Sequence, residues 1–487
     1  MTSQNKTDQN RTPIFEAVKK YIDDKVIPFH VPGHKGGKGI AHGFKDYVGE
    51  QIFRMDVNGM EDLDNICNPV GVIKEAENLL ARLYNADESF MLVNGTTQGV
   101  QAMILYACRP GEEIIIPRNA HRSTLGALIL SGAIPVYIQP EIHVDLGIST
   151  GLDIRKVRDI IKSHPYAKTV FVNNPTYYGM VSDLKEIVKA AHDENMLVLA
   201  DEAHGAHFPF HPALPATAME LGADMSAISL HKTGGSMTQS SALLIKRKNV
   251  CSNKVNTVVN LMQTTSASYI LMVSLDLARK HLALRGKSIM TKVIGLAGYA
   301  RQRINNIIGL YAFGPELSGQ IGIFAFDDTK LCINVRGLGL SGYEVESILR
   351  KEYNIQVEMS DFYNILSIIS LGDNMENIDS LIDSLKDISQ KYSTKTSAKP
   401  IITLPTLSMI TTPREAFYAN KKKVLLEESA GEISGETAMA YPPGIPALCP
   451  GERISKDMVD YLKMMKASKY QLLGMEDPHL EYINVLS

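Results

Sequence analysis

The sequence predicts an α/β chain organised around a mostly parallel sheet. Three observations predict it. Short apolar runs recur between residues 70 and 285, helical stretches separate several of them, and some of the runs end directly in polar, glycine-containing turns. Short strands alternating with helices imply a sheet whose two faces are both covered, with neighbouring strands running the same way.

The elements follow in order. Residues 1–50 form an N-terminal arm with a helix over Ile14 to Tyr21 and the turn-rich segment VPGHKGGKG. Its first fifteen residues are polar and lack the apolar stretch of a secretory signal. Residues 51–285 form a large domain. Lys74 to Tyr84 reads as an amphipathic helix, Phe90 to Val93 as a strand feeding NGTTQG, and Gln98 to Ala107 as helix. Further strands are expected at Glu113 to Pro117, Pro135 to Ile138, Thr169 to Val172, Leu197 to Ala200 and Ser226 to Leu230, with a helix over Leu184 to His192. Residues 286–396 form a smaller αβ domain, with strands in IGIFAF and KLCINV and helices over Gly342 to Glu352 and Asn377 to Tyr392. The segment SAKPIITLP reads as a linker, and residues 397–487 form a C-terminal αβ unit containing the loop YPPGIPALCPGE.

Composition removes several classes of function. A chain of 487 residues is too long for one small core. Its formal net charge of -3 gives no basic excess for nucleic acid. No stretch approaches the roughly 20 apolar residues of a membrane span. The five cysteines, Cys67, Cys108, Cys251, Cys332 and Cys449, are scattered and form no CxxC pair. They read as free thiols in a reducing cytoplasm, and no metal site is expected.

The chemistry concentrates at strand ends. In SAISLHKTGGSMTQSS, Lys232 follows an apolar strand and is flanked by Ser229 and His231, with small residues after it. Ligands of open α/β sheets bind at the carboxyl ends of strands, and a lysine there can form an imine with an aldehyde cofactor. Taken alone, the same pattern also fits a surface lysine on a glycine turn. In LVLADEAHG, Asp201 ends another strand and supplies the anion that a pyridine nitrogen requires, although an aspartate there also suits a helix N-cap. In FMLVNGTTQG, Gly95, Thr96 and Thr97 open a helix whose free N–H groups suit a phosphate; a plain capping turn has the same appearance. His121, in RNAHRS, follows the strand EIIIP, and NNPTYYG follows TVFV at the same sheet edge.

Together these segments resemble the ornithine/lysine/arginine decarboxylase family. Residues 227–241 resemble its pyridoxal-phosphate (PLP) attachment signature at every defined position, and PGHKGG, NGTTQG, RNAHRS, NNPTYYG, DEAHG and YPPGIPALCPGE stand in the family's order over nearly the whole chain. The resemblance implies a PLP-dependent transferase fold of the aspartate-aminotransferase type. It implies that Lys232 carries PLP as a Schiff base, that Asp201 pairs with the ring nitrogen, that His121 stacks on the ring, and that Ala203 packs under it. Gly95, Thr96, Thr97, Ser229 and His231 are then the phosphate contacts, with His231 or Lys232 returning a proton to the substrate. Long members often carry a bulky aromatic where this chain has His204. They also have an N-terminal wing domain, for which no room is expected ahead of PGHKGG, so the chain resembles the short Gram-positive form, arginine decarboxylases of polyamine synthesis among them.

The expected reaction is loss of carbon dioxide from a basic amino acid, arginine to agmatine first, with lysine and ornithine as alternatives. The cationic tail of the substrate calls for carboxylates, and Glu436, Asp64, Asp56 and Asp62 are the candidates. An aminotransferase on the same fold would hold the α-carboxylate with an arginine such as Arg336 or Arg414. A non-catalytic PLP-binding regulator would tend to lose Lys232 or Asp201. A homodimer with PGHKGG reaching the partner's cofactor is expected by analogy of fold.

Overall fold

The computed structural model describes residues 8–392, 404–440, 445–467 and 472–487. Most of the expected linker (397–403) and the YPPG of the C-terminal loop (441–444) lie outside the described residues. The chain divides into two compact units, Met1–Tyr106 with Leu199–Lys292, and Ala107–Val198 with Val293–Ser487.

In the first unit, strand Glu88–Leu92 is antiparallel to Ser241–Ile245, which is antiparallel to Met225–Ile228, which runs parallel to Leu197–Glu202. All but one residue of these four strands is buried, so the sequence reads as continuous apolar runs and not as alternation. The strand Ser241–Ile245 was not expected from sequence, because its first residue, Ser241, reads as one of the small residues that follow Lys232. In the second unit, Glu113–Pro117 lies parallel to both Ile134–Ile138 and Thr169–Asn173. Strand Leu197–Glu202 serves both units. Its first residues belong to the second, where Leu197 N–H donates to the Lys168 carbonyl at 3.0 Å and Thr169 Oγ1 donates to the Leu197 carbonyl at 2.8 Å. The strands of this central sheet are mostly parallel.

Helices begin where the chain supplies caps. Pro13–Asp23 opens with proline at its first position, where a missing N–H costs nothing. Gly342–Glu352 opens on a capping box in which Ser341 and Glu344 exchange hydrogen bonds. The helix Tyr269–Ile304, 36 residues long, runs without interruption through the expected 285/286 domain boundary. Inside the first unit its fully buried Arg279 is paired with Asp276 at 3.0 Å, and Asp276 Oδ2 accepts the Ile14 N–H at 3.1 Å, fixing the N-terminal helix.

The rest of the second unit holds an antiparallel sheet of Tyr311–Phe313, Lys330–Asn334, Asn364–Ile368 and Met359–Ser360. IGIFAF forms only a two-residue strand, Ala325–Phe326, against Met180–Val181. Gly322 explains the difference: its φ is +75°, and an added Cβ would fall 2.6 Å from the Gly151 carbonyl oxygen, so the chain turns there. The C-terminal residues pack Leu426, Leu448, Met458, Leu462 and Val485 into a separate apolar cluster. Among the described residues, no helix is long and apolar enough to cross a membrane.

Candidate active site

The site residues of the first unit stand at the ends of two adjacent parallel strands. Asp201 lies opposite Ala227 in the register of Leu197–Glu202 and Met225–Ile228. Past the second strand, Ser229 opens the single turn Leu230–Thr233, which carries His231 and Lys232. Lys232 Nζ and His204 Nε2 are 2.9 Å apart, and His204 is buried. Asp201 accepts the Ala203 N–H at Oδ1 at 3.0 Å. Burial pushes the Asp201 carboxyl above its ordinary range, while the Ala203 N–H and the positive charge of Lys232 pull it back down. A cation at this carboxylate therefore lowers the cost of keeping it ionised. Its neighbour Glu202 faces the other way. It accepts Ser226 Oγ at 2.6 Å and the Ala218 N–H at 2.8 Å, and burial pushes its carboxyl up to about 7.

A hydroxyl cluster sits beside these groups in the chain. Thr96 Oγ1 pairs with Ser229 Oγ and lies 3.1 Å from Ser241 Oγ. Gly95, at φ +71°, donates its N–H to the Gln239 carbonyl at 2.9 Å, which binds the NGTT turn to the loop after Lys232. Helix Gly95–Ala107 begins at that point, and Thr97 is exposed on its first turn. His231 Nδ1 is 3.0 Å from the Ser240 carbonyl, which fixes the ring by its backbone side. A buried carboxylate, a lysine amine, and hydroxyls at a helix N-terminus are together the donor set that a pyridoxal phosphate requires: an anion for the ring nitrogen, an amine for the aldehyde and donors for the phosphate. The residues fit the group.

The other candidates have different surroundings. In the second unit, His121 is the N-cap of helix Arg122–Ser131, its Nδ1 accepting the Ser123 N–H at 3.2 Å. Asp64 caps helix Val72–Leu83 from a distance: its carboxylate accepts the N–H groups of Asn65, Val70, Gly71, Ile73 and Lys74. Glu436 accepts Asn484 N–H at 2.8 Å, Glu476 N–H at 2.9 Å and Asn484 Nδ2 at 3.0 Å, so it holds the C-terminal strands together; it is a buried group and not a surface one. Asp56 pairs with His34 at 3.0 Å, and Asp62 is exposed. Arg336 donates to the Asp145 carbonyl and Arg414 to the Leu130 carbonyl. Sequence reasoning passed over the contact of His204 with Lys232, and the clamp in which Arg118 grips Glu452 and the carbonyls of Pro446 and Ala447. Arg118 was legible only as an arginine beginning RNAHRS, since its partner lies more than 300 residues away.

This arrangement defines the class first. The fold is that of the PLP-dependent fold type I enzymes: ureidoglycine–glyoxylate aminotransferase from Bacillus subtilis superposes with a TM-score of 0.56 at 15% identity, over 72% of this chain and 92% of that one. The lysine decarboxylase of Francisella novicida has a TM-score of 0.86 at 23% identity, over 99% of this chain and 82% of that chain. The chain belongs to the Orn/Lys/Arg decarboxylase family, whose major-domain model matches residues 12–377 and whose C-terminal domain model matches 396–479. It is 42% identical to an arginine decarboxylase of Bacillus subtilis over 481 residues, which are 98% of each protein.

Proposed function

We propose that the chain is a PLP-dependent decarboxylase that converts arginine to agmatine and carbon dioxide, in the service of polyamine synthesis in the cytoplasm. The observation that supports the chemistry is the buried Asp201 beside the strand that leads to Lys232. The similarity to the Bacillus arginine decarboxylase over nearly the whole length supports the substrate.

Lys232 is the residue that carries PLP, and Gly95, Thr96, Thr97, Ser229 and His231 hold its phosphate. When bound, PLP supplies an electron-accepting ring for the pair released as the carboxylate leaves. Asp201 keeps a proton on the ring nitrogen; it acts on the departing charge more than on ground-state binding, and so on turnover more than affinity. Ala203 lies against the ring. His121 takes its place in this reading through the family resemblance. Lys232, once freed by the substrate amine, or His231 would return the proton to Cα. The active form is a homodimer. The exposure of large apolar side chains in the first seventy residues, Ile27, Phe29, Tyr47 and Val70 at 77, 94, 90 and 80%, supports this.

The test is incubation of the purified chain with PLP and, separately, arginine, lysine and ornithine, with carbon dioxide and amine product measured. Agmatine is expected from arginine. Cadaverine or putrescine in its place would overturn the substrate, and no carbon dioxide from any of the three would overturn the reaction.

A further inference from the structure

Lys232 has to change protonation state to do anything but bind anions. As an ammonium it has no electron pair to share, and as a partly buried amine it needs somewhere to leave its proton. The structure supplies a neighbour that can take it. His204 Nε2 lies 2.9 Å from Lys232 Nζ, and the imidazole is only 4% exposed, so bulk water is a poor competitor for that proton.

We propose that Lys232 and His204 hold one proton between them, with His204 the acceptor whenever the Lys232 amine acts as a nucleophile or base. This rests on the role given to Lys232 above. The step balances simply. An N–H bond at Nζ breaks, its electron pair stays on Nζ, and the proton joins Nε2; the reverse transfer restores the ammonium. Two cations at this separation in a partly buried site repel, which disfavours holding both charges. Asp201, three residues before His204, acts electrostatically on Lys232 and favours one positive charge in the pair. The remaining titratable rings on these two segments are His231, directed at the Ser240 carbonyl, and His207, edge-on to Phe208.

The experiment follows the His204 ring by NMR in the full-length, cofactor-free chain labelled at histidine carbon. The His204 signal is identified among the 13 histidines by its loss in His204→Gln. The titration midpoint is compared in the native chain, Lys232→Met and Lys232→Arg. Removing the competing cation in Lys232→Met should raise the midpoint by about one pH unit or more, a tenfold change in proton affinity. Lys232→Arg keeps the charge and should keep the midpoint low, which a merely structural effect of substitution would not do. Equal midpoints in the native chain and Lys232→Met would overturn the proposal, as would a Lys232→Arg midpoint as high as that of Lys232→Met. Arginine turnover does not enter the readout, so failure here and failure of the proposed function are separate results.

Discussion

Two buried carboxylates of this molecule are handled in opposite ways. In the second unit, Glu452 receives Arg118 Nε at 2.8 Å on one oxygen, and Arg118 Nη2 at 2.8 Å and the Cys449 N–H at 2.7 Å on the other. A two-pronged guanidinium and a backbone donor satisfy the charge in place. In the first unit, Asp201 is also buried, and there burial outweighs the help that it receives from Ala203 and Lys232, so its carboxyl is held above the ordinary range. The Glu452 charge is held as part of the scaffold. Asp201 fits the proposed role of a carboxylate that takes a cationic partner, and perturbed groups of this kind gather at functional sites.

That contrast can be broken by substitution, and the largest effect is expected at Lys232. Lys232→Ala should lower kcat with the best substrate by about a thousandfold or more while the melting temperature stays close to native; a fall in melting temperature as large as that of a core substitution would make Lys232 a structural residue. Next comes Arg118→Met, which strands the Glu452 charge and should cost about 3–5 kcal/mol in unfolding free energy. Adding Glu452→Leu should recover most of it, and chemical denaturation of the double variant checks this. Asp201→Asn should reverse the pattern of Arg118→Met: turnover falls by about 10²–10³-fold with KM little changed, and stability is unaffected or improved. A smaller effect comes from Glu202. Burial pushes its carboxyl up to about 7 in the folded chain, above the ordinary 4.5, so the native state binds the extra proton. Its contribution is full below about 4.5 and is lost as pH rises through about 7. Glu202→Gln should therefore lose less stability than the native chain between pH 5 and pH 8, by on the order of 2 kcal/mol in unfolding free energy from denaturant titrations. The smallest change is Asp64→Ala, which removes a helix cap and should cost about 1–2 kcal/mol with PLP binding retained.

Much of the frame was legible because it is local. Glu113–Pro117 and Gly342–Glu352 fall where the local sequence pattern places them. The strand Ser241–Ile245 was hidden because its first residues double as the small side chains following Lys232, and IGIFAF because a glycine turn cuts it. Within the site, Lys232, Asp201 and the NGTT turn each announce themselves by following an apolar run. Asp64 and Glu436 looked like substrate carboxylates since composition counts charges without showing who neutralises them. The Asp64 oxygens are filled from up to 10 residues away and those of Glu436 from 48, distances over which no local pattern reports.

The pairing of Glu88–Leu92 also sets a timetable for making the protein. That strand is at the sheet edge, and its hydrogen-bonding neighbour is Ser241–Ile245. Almost 150 residues separate the end of one from the start of the other. At about 5–20 residues per second, a ribosome needs roughly 7–30 s to bridge that gap. During the interval the apolar edge, and the NGTT turn anchored to it, have emerged without the partner that holds them. The NGTT turn, the proposed phosphate cradle, is therefore among the last parts of the first unit to close, and the nascent chain is most exposed to misassociation while that turn waits for its partner strand.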